Sequence, residues 1–162
     1  MTKAFFSFYF DDDVFRAGQV RNMGQVDSDE PIKDQDWEQI KKGKDAAVQK
    51  WIADQMKKCD VAIILVGQNT ASRPWIDYEI RYAWDNHKPI FGIRIHGLSD
   101  VRNGTSSPGN NPFASVGLTT GKKLSDFVPL YSPSGSTSKE VYADIKAKIQ
   151  GWIKAAPSLP AR

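Results

Sequence analysis

Six consecutive apolar residues, Val61-Ala-Ile-Ile-Leu-Val66, stand between Asp60 and Gly67. A strand built from such a run has no polar side to turn toward water, so both of its faces must be covered. Proteins meet that demand by placing the strand inside a parallel sheet, because parallel neighbours are joined by crossover helices that pack on the faces. The run is far short of the ~20 residues that cross a membrane. It predicts the middle strand of an α/β fold.

The flanking text fits that frame. Ala4–Phe10 is aromatic-rich and reads as the first strand, leaving the core for a loop at Asp11-Asp12-Asp13. Residues 14–25 carry a short helix weakened by Gly18 and Gly24, and 27–36 read as an acidic surface loop. Ala47, Val48, Trp51, Ile52 and Met56 then share one helical face, with Lys57 and Lys58 at the negative end of the helix dipole. After the Val61 strand, Ser72 or Arg73 opens another helix. Pro74 sits in its first turn, where a missing N–H costs nothing, and Ile76, Ile80, Ala83 and Trp84 form its apolar stripe. That helix ends near Asn86-His87-Lys88, and Ile90–Ile95 is the next strand, completing a right-handed crossover. Residues 97–138 are dominated by Gly, Ser, Pro, Asn and Thr; only Phe127–Tyr131 resembles a short edge strand. A loop of that length is expected to be functional or mobile. The last helix opens with a capping box, Thr137-x-x-Glu140, buries Val141, Ile145, Ile149, Trp152 and Ile153, and is stopped by Pro157 and Pro160. One domain over 1–156 with a tail at 157–162 is the expectation.

Several function classes drop out. Twenty-two Lys+Arg against nineteen Asp+Glu leave a net charge of +3, evenly interspersed, with no electrostatic grip on nucleic acid or a membrane surface. The single Cys59 precludes an internal disulfide or a cysteine metal cluster and fits a reducing compartment. The N-terminus lacks a secretory pattern, so a cytoplasmic protein is expected and Asn103-Gly-Thr105 is no glycosylation site. Gly117-Leu-Thr-Thr-Gly121-Lys-Lys has one residue too few between its glycines for a P-loop, and Lys123 stands where Ser or Thr belongs. His87 and His96 lie apart without nearby Cys or paired carboxylates, so no metal site is expected. Asp11-Asp12-Asp13 reads as a hard-cation ligand set or as a solvated turn.

Glu79 is the more informative acid. Asp77, Arg81 and Asp85, spaced four apart, can form an ion-pair ladder on the solvent face of their helix. Glu79 instead has Trp75, Ile76, Tyr82 and Ala83 as its three- and four-residue neighbours, on the flank of the apolar stripe and without a local cation. Its helix follows the central strand, so the helix start and the Gln68–Arg73 loop reach the carboxyl edge of the sheet, where open α/β sheets bind ligands. Ser7, Tyr9 and Asp11, at the end of the first strand, belong to the same edge. A flank glutamate can be structural or catalytic, and position alone leaves both open.

Ser72-Arg-Pro-Trp75-Ile-Asp-Tyr-Glu79 resembles the tryptophan-to-glutamate signature of TIR domains, and Phe5-Phe6-Ser7-Phe8-Tyr9 looks like their first-strand box. The order of these pieces with Phe15-Arg16, Val20-Arg21-Asn22, Trp37-Glu38, the Val61 strand, Ile93-x-Ile95 and Asn111-Pro-Phe113 is similar to the TIR-like protein of the bacterial Thoeris anti-phage system. The likeness covers residues 3–117. Ile76 replaces the usual Cys after the tryptophan, and Gly24–Asp36 lacks a recognisable BB-loop motif. The resemblance implies a flavodoxin-like sheet flanked by helices, and Glu79 as the catalytic residue of an NAD-consuming enzyme. NAD would be a substrate, with no resident cofactor. The product would be a cyclic or modified ADP-ribose that signals to a nucleotide-sensing effector, with a phage component as trigger and self-association of the chain.

Cleaving nicotinamide from ribose builds an oxocarbenium-like centre, which a carboxylate beside the sugar stabilises. Phe6, Tyr9 or Trp75 would cover the cationic ring, and Arg16, Arg21 or Arg73 would meet the pyrophosphate. Ser7, Asn22 and Thr70 complete the expected binding set. A non-catalytic TIR-like adaptor, using the long Gly/Ser/Pro segment as an interaction surface, is the competing expectation. A receiver domain fits less well, because the Val61 strand ends in Gly67 rather than an acceptor aspartate.

Overall fold

A computed structural model describes residues 2–28, 44–102 and 104–159. The expected loop through residue 36, Trp37-Glu38, Asn103 and the end of the tail from Pro160 lie outside the described residues. Four strands, β1 (Ala4–Ser7), β2 (Val61–Val66), β3 (Ile90–Arg94) and β4 (Leu130–Tyr131), form an all-parallel sheet in the order β1-β2-β3-β4. Among the described residues the helices are α1 (Phe10–Arg21), α2 (Lys44–Lys57), α3 (Pro74–Asp85) and α4 (Ser138–Ala155).

All six residues of β2 are buried. Its side chains alternate: Val61, Ile63 and Leu65 enter a cluster with Ala17 and Val20 of α1 and Val141, Ile145 and Ile149 of α4. Ala62, Ile64 and Val66 enter the opposite cluster with Val48, Ile52 and Met56 of α2 and Ile76, Ile80 and Ala83 of α3. The sheet is thus a layer between two pairs of helices, a flavodoxin-like α/β architecture of TIR type.

Beyond β1, Asp27 makes a parallel bridge with Lys3, and the Ala4 amide donates to the Asp27 carbonyl at 2.8 Å. The chain therefore steps outward from β1 after α1, then returns on the other face through α2 to β2. Winding reverses between β1 and β2, and the helices diverge there, opening a crevice at the carboxyl ends of these two strands.

Two expectations change. The first strand stops at Ser7, and Asp11, Asp12 and Asp13 form the first turn of α1 rather than a solvated loop. Carboxylates favour that position because the helix N-terminus presents its positive end. Asp13 is fully buried: Oδ1 accepts from Arg16 Nη1 at 2.9 Å, while Oδ2 packs against Gly67 without a partner. Burial pushes this carboxyl above its usual range, with Arg16 pulling the other way.

The segment after β3 contributes to the core. Phe113, Val116, Leu124 and Val128 are buried in the α2–α3 face of the core, short 3₁₀ turns span Pro112–Ser115 and Leu124–Asp126, and Arg94 Nη1 donates to the Gly109 carbonyl at 2.6 Å. Only two residues of the expected Phe127–Tyr131 strand pair with β3. At α4, Thr137 Oγ1 accepts from the Glu140 amide at 3.2 Å as the cap expected from the sequence. Among the described residues no helix is long and apolar enough to cross a membrane.

The contact between α1 and the end of β2 is close enough to test. A Cβ at Gly67 would lie 2.1 Å from Asp13 Oδ2, so Gly67→Ala must displace a buried carboxylate tied to Arg16. Urea denaturation is expected to show a loss of about 1–3 kcal/mol, typical of overpacking. A variant as stable as the parent would contradict this packing.

Candidate active site at the carboxyl edge

The loop from β2 to α3 is built to bring the start of α3 beside the end of β1. Thr70 Oγ1 accepts from the Gly67 amide at 2.8 Å, Asn69 Nδ2 donates to Asp12 Oδ2 at 2.7 Å, and Ser72 adopts a left-handed φ of 72°. The Asn69 bond ties the loop to the first turn of α1. Arg73 follows as the N-cap residue, with Pro74 at the helix start, as the sequence implies.

A cleft of about 160 Å³ opens here, lined by Phe8, Tyr9, Phe10, Asp11, Arg73, Pro74, Trp75, Ile76 and Glu79. The Arg73 guanidinium lies 3.9 Å from the centre of the Tyr9 ring, and its Nε donates to the Asn69 carbonyl at 2.9 Å. Phe8 and Phe10 stack at 6.1 Å on the β1 side. On the α3 side, Trp75 meets Tyr78 edge-on at 5.6 Å. Four aromatic rings thus line the cleft, with one cation, Arg73, and two carboxyls, Asp11 and Glu79.

Glu79 comes from the second turn of α3 and is 8% exposed. Burial among apolar groups pushes its carboxyl from 4.5 up to about 8, and the Ser7 hydroxyl tempers the rise. Arg73 lines the same cleft, yet among the described residues no ion pair reaches the carboxyl. The solvent side of α3 carries the Arg81–Asp77 pair at 2.8 Å, the one rung made of the expected ladder. A carboxyl held half-neutral near pH 8 in an aromatic cleft can stabilise a developing cation or exchange a proton, and such groups cluster at functional sites.

The expected residues divide. Glu79, Trp75, Tyr9 and Arg73 line the cleft, and Ser7, outside its lining, is buried within reach of Glu79. Phe6 is on the opposite face of β1, packed with the α1–α4 cluster, because successive strand residues alternate. Thr70 is a turn-former inside the loop. Arg16 is buried, with its donors on Leu98 O, Asp12 O, Asp13 Oδ1 and Gly104 O. Arg21 and Asn22 end α1, about 16 Å along the helix axis from its start at the cleft, at 1.5 Å per residue. Phe8, Phe10 and Ile76 are cleft residues that sequence reasoning missed. The aromatic run Phe8-Tyr9-Phe10 was the available signal, hidden because it read as strand rather than as the corner into α1.

A family model described as Thoeris protein ThsB, TIR-like domain, matches residues 5–100, which include β2, α3, Glu79 and all of β1 but Ala4. The chain is also 31% identical over 151 residues to a Bacillus cereus (strain MSX-D12) protein described as "Putative cyclic ADP-D-ribose synthase ThsB1", covering 88% of this chain and 76% of that one.

Burial of Glu79 has a thermodynamic signature. The unfolded chain releases this proton near 4.5 and the folded chain near 8, so across that window the unfolded state holds fewer protons and stability falls as pH rises. Glu79→Gln should therefore gain on the wild type between pH 5 and pH 8, by on the order of a few kcal/mol. Melting curves of both proteins at the two pH values check this; a difference independent of pH would exclude a buried, raised carboxyl.

Proposed function

Since the chain belongs to the TIR-like domain family of Thoeris protein ThsB, we propose that it cleaves NAD at the nicotinamide–ribose bond and joins the ribosyl carbon to a new acceptor, giving a cyclic ADP-ribose-type product. The observation that carries this reading is the buried Glu79 carboxyl, without an ion-pair partner among the described residues, in a cleft rich in aromatic rings at the winding reversal of the sheet.

The nicotinamide end of NAD is a flat cation, and the cleft offers aromatic walls with a carboxyl at its base. Entry of that cation lowers the pKa of Glu79, because an opposite charge in a desolvated site favours the ionised form. The carboxylate then stabilises positive charge as it spreads onto the ribose ring, and nicotinamide leaves with the bonding electron pair. Trp75 and Tyr9 are the rings nearest the start of α3, and Arg73, held over Tyr9, is the cation placed to meet the pyrophosphate.

At about 160 Å³ the cleft is smaller than the roughly 300–1,000 Å³ usual for whole-ligand pockets. It encloses one ring-and-sugar end, and the adenosine half lies along the open edge or against a second copy of the chain. An acceptor hydroxyl or adenine nitrogen of the same molecule gives a cyclic product; water gives ADP-ribose. In the same reading the product passes to a separate nucleotide-sensing effector, and a phage component is the trigger.

Purified protein incubated with NAD, with and without infected-cell extract, should release nicotinamide, and Glu79→Gln should lower the rate at least 100-fold. Equal turnover by both proteins would remove Glu79 from the chemistry. In the wild type, kcat/KM should rise with pH toward a midpoint near 8, because the free enzyme must lose the Glu79 proton. A flat profile between pH 6 and 9 would contradict a carboxylate role.

A further inference from the structure

Ser7 is the last residue of β1 and is 1% exposed. Strand alternation puts it on the same face as Phe5, toward α3, while Ala4 and Phe6 face α1 and α4. Its register partner on β2 is Ile64, which offers no side-chain acceptor. A buried hydroxyl is normally hydrogen-bonded, yet Ser7 Oγ has no partner of regular geometry. Beside it lies the similarly buried Glu79 carboxyl.

We propose that Ser7 is a positioning residue for Glu79: its hydroxyl rotates to donate to the carboxylate once Glu79 ionises, holding that side chain toward the cleft, and it does not contact substrate. This rests on the catalytic reading of Glu79 above and changes the role of Ser7 from substrate binder to support.

The surroundings leave few alternatives. Around the cleft the titratable or charged groups are Tyr9, Asp11 and Arg73. Tyr9 donates to Asp11 at 3.3 Å, Arg73 is held by Asn69 and the Tyr9 ring, and among the described residues Ser7 is the group that favours ionised Glu79. On α3 itself, Asp77 and Arg81 pair with each other and Asp85 is exposed. The 3₁₀ turn packed against α3, Pro112-Phe-Ala-Ser115, carries no titratable group, and neither does β2. On α2, Lys50 and Asp54 pair in solvent. A serine hydroxyl can turn its hydrogen without moving a heavy atom, so it can stay idle beside a neutral carboxyl and engage a charged one. Hydrogen bonds to ionised groups are the stronger class, so the bond forms when charge appears.

The test follows the Glu79 ionisation directly and also through activity. The carboxylate band of Glu79, isolated as the infrared difference between wild type and Glu79→Gln, is titrated in Ser7→Ala and Ser7→Thr backgrounds, each checked for a cooperative melt. Ser7→Ala should raise the midpoint by about half to one pH unit. It should also lower kcat/KM at pH 7 by about three- to tenfold and much less above pH 9, where Glu79 is ionised in both proteins. Ser7→Thr, which keeps the hydroxyl, should restore both. An unmoved midpoint, or a loss of kcat/KM of the same size at both pH values, would overturn the proposal, the latter by showing direct substrate contact. A raised midpoint in a protein that turns over no NAD supports the Ser7–Glu79 coupling and counts only against the catalytic reading.

Discussion

Burial of β2 on both faces is the constraint from which the rest follows. Six apolar residues without a polar side require helices above and below the sheet, and parallel pairing with β1 and β3 supplies those helices as crossovers. Once α1 lies on one face and α2 on the other, the chain must reverse its direction of winding between β1 and β2. The crevice at the carboxyl ends of those strands is a product of the same covering that makes the core. Glu79 stands there because α3 begins at the exit of β2.

The crevice has two sides of different character. On the α1 side, charges are paired: buried Asp13 pairs with buried Arg16, which also binds carbonyls of the segment after β3, and half-exposed Arg102 pairs with Asp100. On the α3 side, the desolvated carboxyl of Glu79 faces rings instead of a cation. Paired charges are ordinary supports for a fold, whereas a buried acid left without an ion-pair partner costs stability and is retained where chemistry uses it. The contrast separates the internally bonded Arg16 from the candidate Glu79 more firmly than either residue's exposure does.

The long Gly/Ser/Pro-rich segment illustrates what composition conceals. Its turn-forming residues predict a loop, and most of its backbone is irregular. Phe113, Val116, Leu124 and Val128 nonetheless bury themselves against the α2–α3 face, and Phe113 fits where Gly92 leaves no side chain: a Cβ there would lie 2.9 Å from its ring. Scattered apolar residues without a helical or strand period give no signal to a pattern reading, because their spacing is set by the shape of the core they fill rather than by a local repeat.

Local signals in the chain were enough for the architecture and to single out Glu79, which lines the candidate cleft. The unbroken run of β2, the Pro74 helix start and the Thr137 cap each depend on near neighbours, and neighbour spacing on α3 already set Glu79 apart from Asp77, Arg81 and Asp85. Tertiary structure decided the environment of each side chain. It turned Asp11–Asp13 into a helix start, committed Arg16 to internal carbonyls, sent Phe6 to the far face of the sheet and set Ser7 within reach of Glu79. The physical reason is that backbone periodicity is written in adjacent residues, whereas desolvation and hydrogen bonding depend on groups that arrive from distant parts of the chain.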